Sequence, residues 1–113
     1  MKFEINEYNV VPKIEDRNTF YVKISESEIK YNKETILNKE KIDEIFKLLN
    51  EYKNDIIKYS EGKMSNYKGG RQQMMLIHYS ENEIFHLIGN TPNQELSDFY
   101  SKLKNSIVNI IEK

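Results

Sequence analysis

Cysteine, alanine and tryptophan are missing from this 113-residue chain. The lack of cysteine excludes disulfides, thiol nucleophiles and thiolate-bound zinc. It also fits a cytoplasmic location, which is the expectation here. Nowhere does the chain hold about 18 consecutive apolar residues, the length a membrane-spanning helix needs. Its first residues, MKFEINEYNVV, have neither the long apolar core nor the small-residue cleavage site of a secretory signal. A dominant charge sign is absent too. Lys and Arg total 17 against 18 Asp and Glu, a formal net charge of −1. No global basic field therefore draws the chain to nucleic acid or to an anionic membrane.

What is present points to a folded domain. The size fits one domain spanning residues 1–113, with room for a single core. Charged residues are plentiful at 31%, yet the apolar 38% falls into periodic runs, which argues against disorder. Lysine far exceeds arginine, and isoleucine and asparagine are abundant. That bias accompanies AT-rich coding, so a low-GC bacterium or a mobile element is the expected source.

The periods define the elements. Residues 2–11 alternate weakly through Phe3, Ile5, Tyr8 and Val10 and end at Pro12, which cannot donate to a ladder, so an edge strand is expected. TFYVKI at 19–24 and EIKYNKETIL at 28–37 flank a Ser25-Glu26-Ser27 turn and read as a hairpin. Asn38 then caps one helix over 39–60, with Ile42, Ile45, Phe46, Leu49, Tyr52 and Ile56 forming one stripe. A second hairpin spans 72–89, its MMLI run apolar on both parities and so expected to be covered on both faces. A second helix starts after Thr91, with Thr91 and Gln94 as a capping box and Pro92 at the first helical position. Its stripe is Leu96, Phe99, Tyr100, Leu103, Ile107 and Ile110. The order β-ββ-α-ββ-α implies an α+β two-layer sandwich, with an antiparallel sheet of about five strands against two helices.

Residues 59–71, YSEGKMSNYKGGR, follow neither period and form the candidate functional loop. Within 58–71, Lys58, Lys63, Lys68 and Arg71 face only Glu61, a local excess of three positive charges. Gly69 and Gly70 resemble a phosphate cradle in composition but not in order. A phosphate loop leaves a strand and opens a helix, whereas this one enters a strand. A turn or bulge is the expected use of the two glycines. Tyr59, Tyr67, Lys63, Lys68 and Arg71 still form a candidate nucleic-acid contact, because rings can stack on bases while cations meet phosphates.

No catalytic or metal constellation emerges, and no cofactor is expected. His78 and His86 occupy the two strands of the second hairpin. With Ser80 opposite Glu83 they lie on opposite faces; with Ser80 opposite Ile84 they stand side by side. The first register is expected, because Glu81-Asn82 suits a tight turn. Carboxylates such as Asp43, Glu44, Glu51 and Asp55 line a polar helix face and are tied to no nucleophile.

What remains is a binding task. Residues 1–57 hold ten Lys and Arg against twelve Asp and Glu, a net −2. Tyr8, Tyr21, Tyr31 and Tyr52 are candidate interface anchors. The expected function is a small non-catalytic protein-binding module, of the inhibitor or immunity type. Two alternatives are kept. One is a nucleic-acid accessory acting through the 58–71 loop; the other is a small ligand-binding domain or enzyme with a sheet–helix pocket using His78, His86 or Arg71. A homodimer is also expected to be possible through an apolar sheet face, either Met74, Leu76 and Phe85 or Met75, Ile77 and Ile88.

Overall fold

A computed structural model describes residues 1–9, 18–60 and 71–113. The described strands are β1 (Lys2–Asn9), β2 (Asn18–Ile24), β3 (Ile29–Tyr31), β4 (Glu34–Ile36), β5 (Arg71–His78) and β6 (Ile84–Ile88). They form one open antiparallel sheet in the order β4-β3-β2-β1-β5-β6. The described helices are α1 (Lys39–Glu51), α2 (Lys53–Ser60) and α3 (Gln94–Glu112), and they pack against the sheet. The α+β class therefore stands, with six strands rather than five and three described helices rather than two.

Each departure from the sequence reading has a local cause. The stretch 28–37 is two strands because Asn32 turns back with φ 54°. Asparagine tolerates that left-handed conformation better than most residues. Its Oδ1 accepts from the Tyr21 amide at 3.1 Å, and its own amide donates to the Tyr21 carbonyl at 2.7 Å, which pins the turn to β2. The 39–60 helix is divided at Tyr52, which has left helical geometry at φ −93°, ψ 8°. The expected cap Asn38 is in place, its Oδ1 accepting from the Lys41 amide. The cap of α3 is Asn93, whose Oδ1 accepts from the Leu96 amide, while Thr91 and Pro92 stay outside the helix. Asparagine is at least as good a cap as threonine.

β1 is central rather than an edge, lying between β2 and β5. Its alternation decides the two sides of the sheet. Phe3, Ile5 and Glu7 face the helices and are buried. Val22 and Ile24 of β2, Ile29 of β3, Met75 and Ile77 of β5 and Leu87 of β6 join them. The helices answer with most of the stripes expected from their period: Ile42, Ile45, Leu49 and Ile56 from α1 and α2, and Phe99, Tyr100, Leu103, Ile107 and Ile110 from α3, joined by Ile111, while Phe46, Tyr52 and Leu96 are only partly buried. Burying each such side chain contributes roughly 1.5–3 kcal/mol. At Gly89 the Tyr100 ring lies so near that an added Cβ would stand 2.5 Å from it.

Among the described residues, the MMLI run is fully buried on one face only. Met75 and Ile77 are buried, whereas Met74 and Leu76 are only half-buried, and no described side chain on their side of the sheet is buried. Helix ends are tied together by charge. Lys41 Nζ donates to the Ile111 and Lys113 carbonyls at 2.7 and 3.0 Å, placing a cation at the negative end of α3. No helix among the described residues is long and apolar enough to cross a membrane.

Candidate functional site

The sheet face turned away from the helices carries the side chains one residue out of step with the core. Pairing fixes its rows. Ile88, Met74, Asn6 and Tyr21 lie in line across β6, β5, β1 and β2. The next row is His86, Leu76, Glu4, Lys23, Lys30 and Thr35, which crosses all six strands. Ile84, His78 and Lys2 form the third. The face is thus divided. Its β5–β6 half presents Met74, Leu76, Ile84 and Ile88 together, with the two histidines among them. Its β1–β3 half is charged, with Lys2, Lys23 and Lys30 around Glu4. A hollow of about 460 Å3 opens on the charged half, and Lys2, Glu4, Lys23, Glu28, Lys30 and His78 are among its lining.

The apolar group is what distinguishes this face. Single exposed apolar residues are common on soluble proteins, and Leu37, 78% exposed, is one. Four apolar side chains made neighbours by register are a patch, and patches mark contact surfaces more often than chance exposure does. The dimer groupings read from sequence are corrected by the register. Met74 and Leu76 share their face with Ile84 and Ile88, whereas Phe85 points to the helices with Met75 and Ile77.

The histidines follow neither expected register. His78 pairs with Ile84 and His86 with Leu76, so both stand on the helix-free face, diagonal to each other. The cause is a three-residue loop, 80–82, closed by Ser80. Its Oγ accepts from the amides of Asn82 and Glu83 at 3.3 and 3.2 Å, and the Tyr79 amide donates to the Glu83 carbonyl. Among the described residues, no group of three or more His, Asp or Glu is placed to hold a metal ion.

The candidate binding residues are scattered. Of the four anchors, Tyr8 and Tyr21 fall by register on the helix-free side. Tyr31 lies on the helix side, edge-on to Phe20 with ring centroids 5.9 Å apart, and its hydroxyl donates to Glu112 at 2.6 Å. That bond, burial and the charges of Glu112 and Glu34 push its phenol up to about 12. Tyr52 and Tyr59 both pack on Phe99 of α3, at 6.1 and 4.8 Å between centroids. These rings dock α1 and α2 on α3. Arg71 opens β5 opposite Asn9. Lys63, Tyr67, Lys68, Gly69 and Gly70 lie outside the described residues.

One polar cluster was not read from the sequence. Glu7 is fully buried, and Lys104 Nζ donates to its two carboxylate oxygens at 2.8 and 2.9 Å, while the Tyr100 hydroxyl donates at 3.0 Å. Lys104 also lies 4.3 Å from the Phe20 ring centroid. Glu7 follows Phe3 and Ile5 at even spacing, and that parity was the available signal. The carboxylate is sealed in the core and held by its partners, so it serves to lock α3 onto β1. Tyr79 makes a similar tie elsewhere. Its hydroxyl donates to the Leu49 carbonyl, and burial, with the Glu83 charge, raises its phenol well above the usual range. Lys53 sits over its ring at 4.8 Å and pairs with Glu83 at 3.0 Å.

Comparison with family models, with curated proteins and with solved structures finds no match, so function has to be argued from the surface itself.

Proposed function

We propose that this chain is a non-catalytic protein-binding module whose contact surface is the helix-free face of the sheet. The observation that carries the reading is the register-aligned patch of Met74, Leu76, Ile84 and Ile88, with none of its members buried. Tyr21 extends the patch across β1 and β2 and supplies an amphipathic anchor. Lys2 and Glu4 of β1 border it, with Lys23 and Lys30 beyond, and this excess of lysine fits a partner with an apolar surface flanked by carboxylates. A chain of this size with such a surface suits an inhibitor or immunity-type role, in which one protein masks another.

The test is recovery of a partner from a lysate of the source organism, with nuclease and without it, using the natural chain and two variants. A protein recovered in near-equal amount, insensitive to nuclease, lost with Leu76→Lys and kept with Glu40→Lys on the exposed side of α1, is the expected result. Binding that survives Leu76→Lys would sink the assignment of this face. Recovery lost on nuclease treatment and falling steeply with salt would instead favour the nucleic-acid reading through the 58–71 loop.

A further inference from the structure

The two edges of the sheet are not alike. β4 is three residues long, carries Glu34 and follows Lys33. Short length and charge are ordinary guards against edge-to-edge pairing. β6, at the other edge, is IFHLI: five residues with no lysine, carboxylate or proline. The Tyr79–Glu83 and Gln73–Gly89 backbone bonds set the phase of the β5–β6 ladder. In that phase Phe85 and Leu87 bond inward to β5, and the amides and carbonyls of Ile84, His86 and Ile88 point out of the sheet. No described residue bonds these outward groups. What such an edge fits is another strand.

We infer that β6 is a pairing edge for β6 of a second copy of this chain, joined antiparallel about a two-fold axis at His86. The strand is self-complementary in that register. Ile84 meets Ile88 of the other copy and Phe85 meets Leu87, so both faces of the seam are apolar. His86 meets its own copy, and the outward-pointing residues become the mutually bonded pairs that an antiparallel ladder requires. The flanking Glu83 meets Gly89 rather than a like charge. Pairing also shields Ile84, which is 42% exposed in the single chain. A foreign strand could use the same edge, but it would have to supply this apolar pattern, whereas a second copy always carries it. The inference does not depend on the protein-binding reading, because it uses the sheet's edge and leaves most of the helix-free face open.

The absence of cysteine makes the test direct. In the inferred register the two His86 Cα atoms stand about 5.5 Å apart, as in any hydrogen-bonded antiparallel pair, a span that a disulfide bridges. His86 is exposed, so His86→Cys leaves the core untouched. The natural chain is expected to sediment as a dimer that dissociates on dilution. Under mild oxidation His86→Cys should link into a covalent dimer about a hundredfold faster than Thr35→Cys on the β4 edge, since pairing raises the local thiol concentration. Ile84→Cys mixed with Ile88→Cys should link across copies, and each should link poorly alone. A monomer at every concentration overturns the inference, as do equal linking rates for His86→Cys and Thr35→Cys. A dimer that links through Leu76→Cys instead is a face-to-face contact and overturns it as well.

Discussion

The two faces of the sheet are built from the same strands, one residue out of step, and they solve different problems. On the helix side Phe3, Ile5, Val22, Ile24, Ile29 and Leu87 are committed to the core. Ile77 and Met75 are buried in the core shared with the helices, and the one buried carboxylate, among the described residues, is held by Lys104 and Tyr100. On the other side Leu76 and Met74, their immediate neighbours, are only half-buried. Hydrophobic residues therefore occur on both parities of β5 for different reasons. One set is buried in the core, and the other is partly exposed on the opposite face. An apolar strand read in sequence cannot separate these uses, whereas the burial of alternate residues does.

The sharpest way to test that division is to damage the committed side at its most expensive point. Glu7→Ala leaves the Lys104 ammonium, itself only 20% exposed, without its carboxylate. Breaking a buried pair by removing one partner costs about 3–5 kcal/mol. A loss of that size in denaturant unfolding is expected, and the apolar double replacement Glu7→Leu with Lys104→Met should recover most of it. A loss below about 1 kcal/mol, ordinary for an exposed pair, would mean that the cluster is not part of the fold's framework.

Next in size is a comparison of neighbours on one strand. Ile77→Ala opens a cavity in the core and should cost about 2–5 kcal/mol. Leu76→Ala, one residue away on the free face, should cost about 0.5–1 kcal/mol, since only part of its surface is removed from water. The same two variants should rank in the opposite order for partner binding, with Leu76→Ala the weaker binder while the fold is intact. Equal stability losses would mean that something covers the second face, and the division of the sheet would fail.

Much of the committed side was legible in the sequence, because helical and strand periods report burial directly. Most of the two helical stripes was readable, and so were the start and cap of α1, but Ile111 was missed, Phe46, Tyr52 and Leu96 are only half-buried, and the single helix read over 39–60 is divided at Tyr52. The polar interior was harder. Glu7 stands at the right parity, but an acid on a core face looks like a broken alternation until its partners are known, and Lys104 lies 97 residues away. The histidine register turned on the Ser80 hydroxyl, which closes a three-residue loop where Glu81-Asn82 suggested a tighter one. β1 read as an edge because a strand ending at proline often is one; its true neighbours are set by where β5 returns. The candidate surface was the least legible part. Its members are marked by their incomplete burial, and residue spacing carries no such information.

The smallest expected effect concerns the tether between β3 and the end of α3. Tyr31 donates to Glu112, and its phenol is raised from 10 to about 12, first by that hydrogen bond, then by burial, then by the charges of Glu112 and Glu34. The folded value lies above the unfolded one. The stability linked to this proton is therefore fully present below about pH 10 and is lost as pH rises through about 12, where the folded state must give it up as well. Tyr31→Phe should cost about 1 kcal/mol or less near neutral pH, the net worth of one hydrogen bond at a partly exposed site. It should also remove a late-titrating phenol from the tyrosinate absorbance curve and flatten the decline in stability between about pH 10 and 12. Tyr79, raised by burial and by Glu83, contributes to the same alkaline decline, so the difference between natural chain and variant is the quantity to measure. Tyr21→Phe, on the opposite face, leaves the Glu112 contact intact and should preserve that decline. If Tyr21→Phe flattened it and Tyr31→Phe did not, the tyrosine held by α3 would be the wrong one, and with it the side of the sheet on which the helices lie.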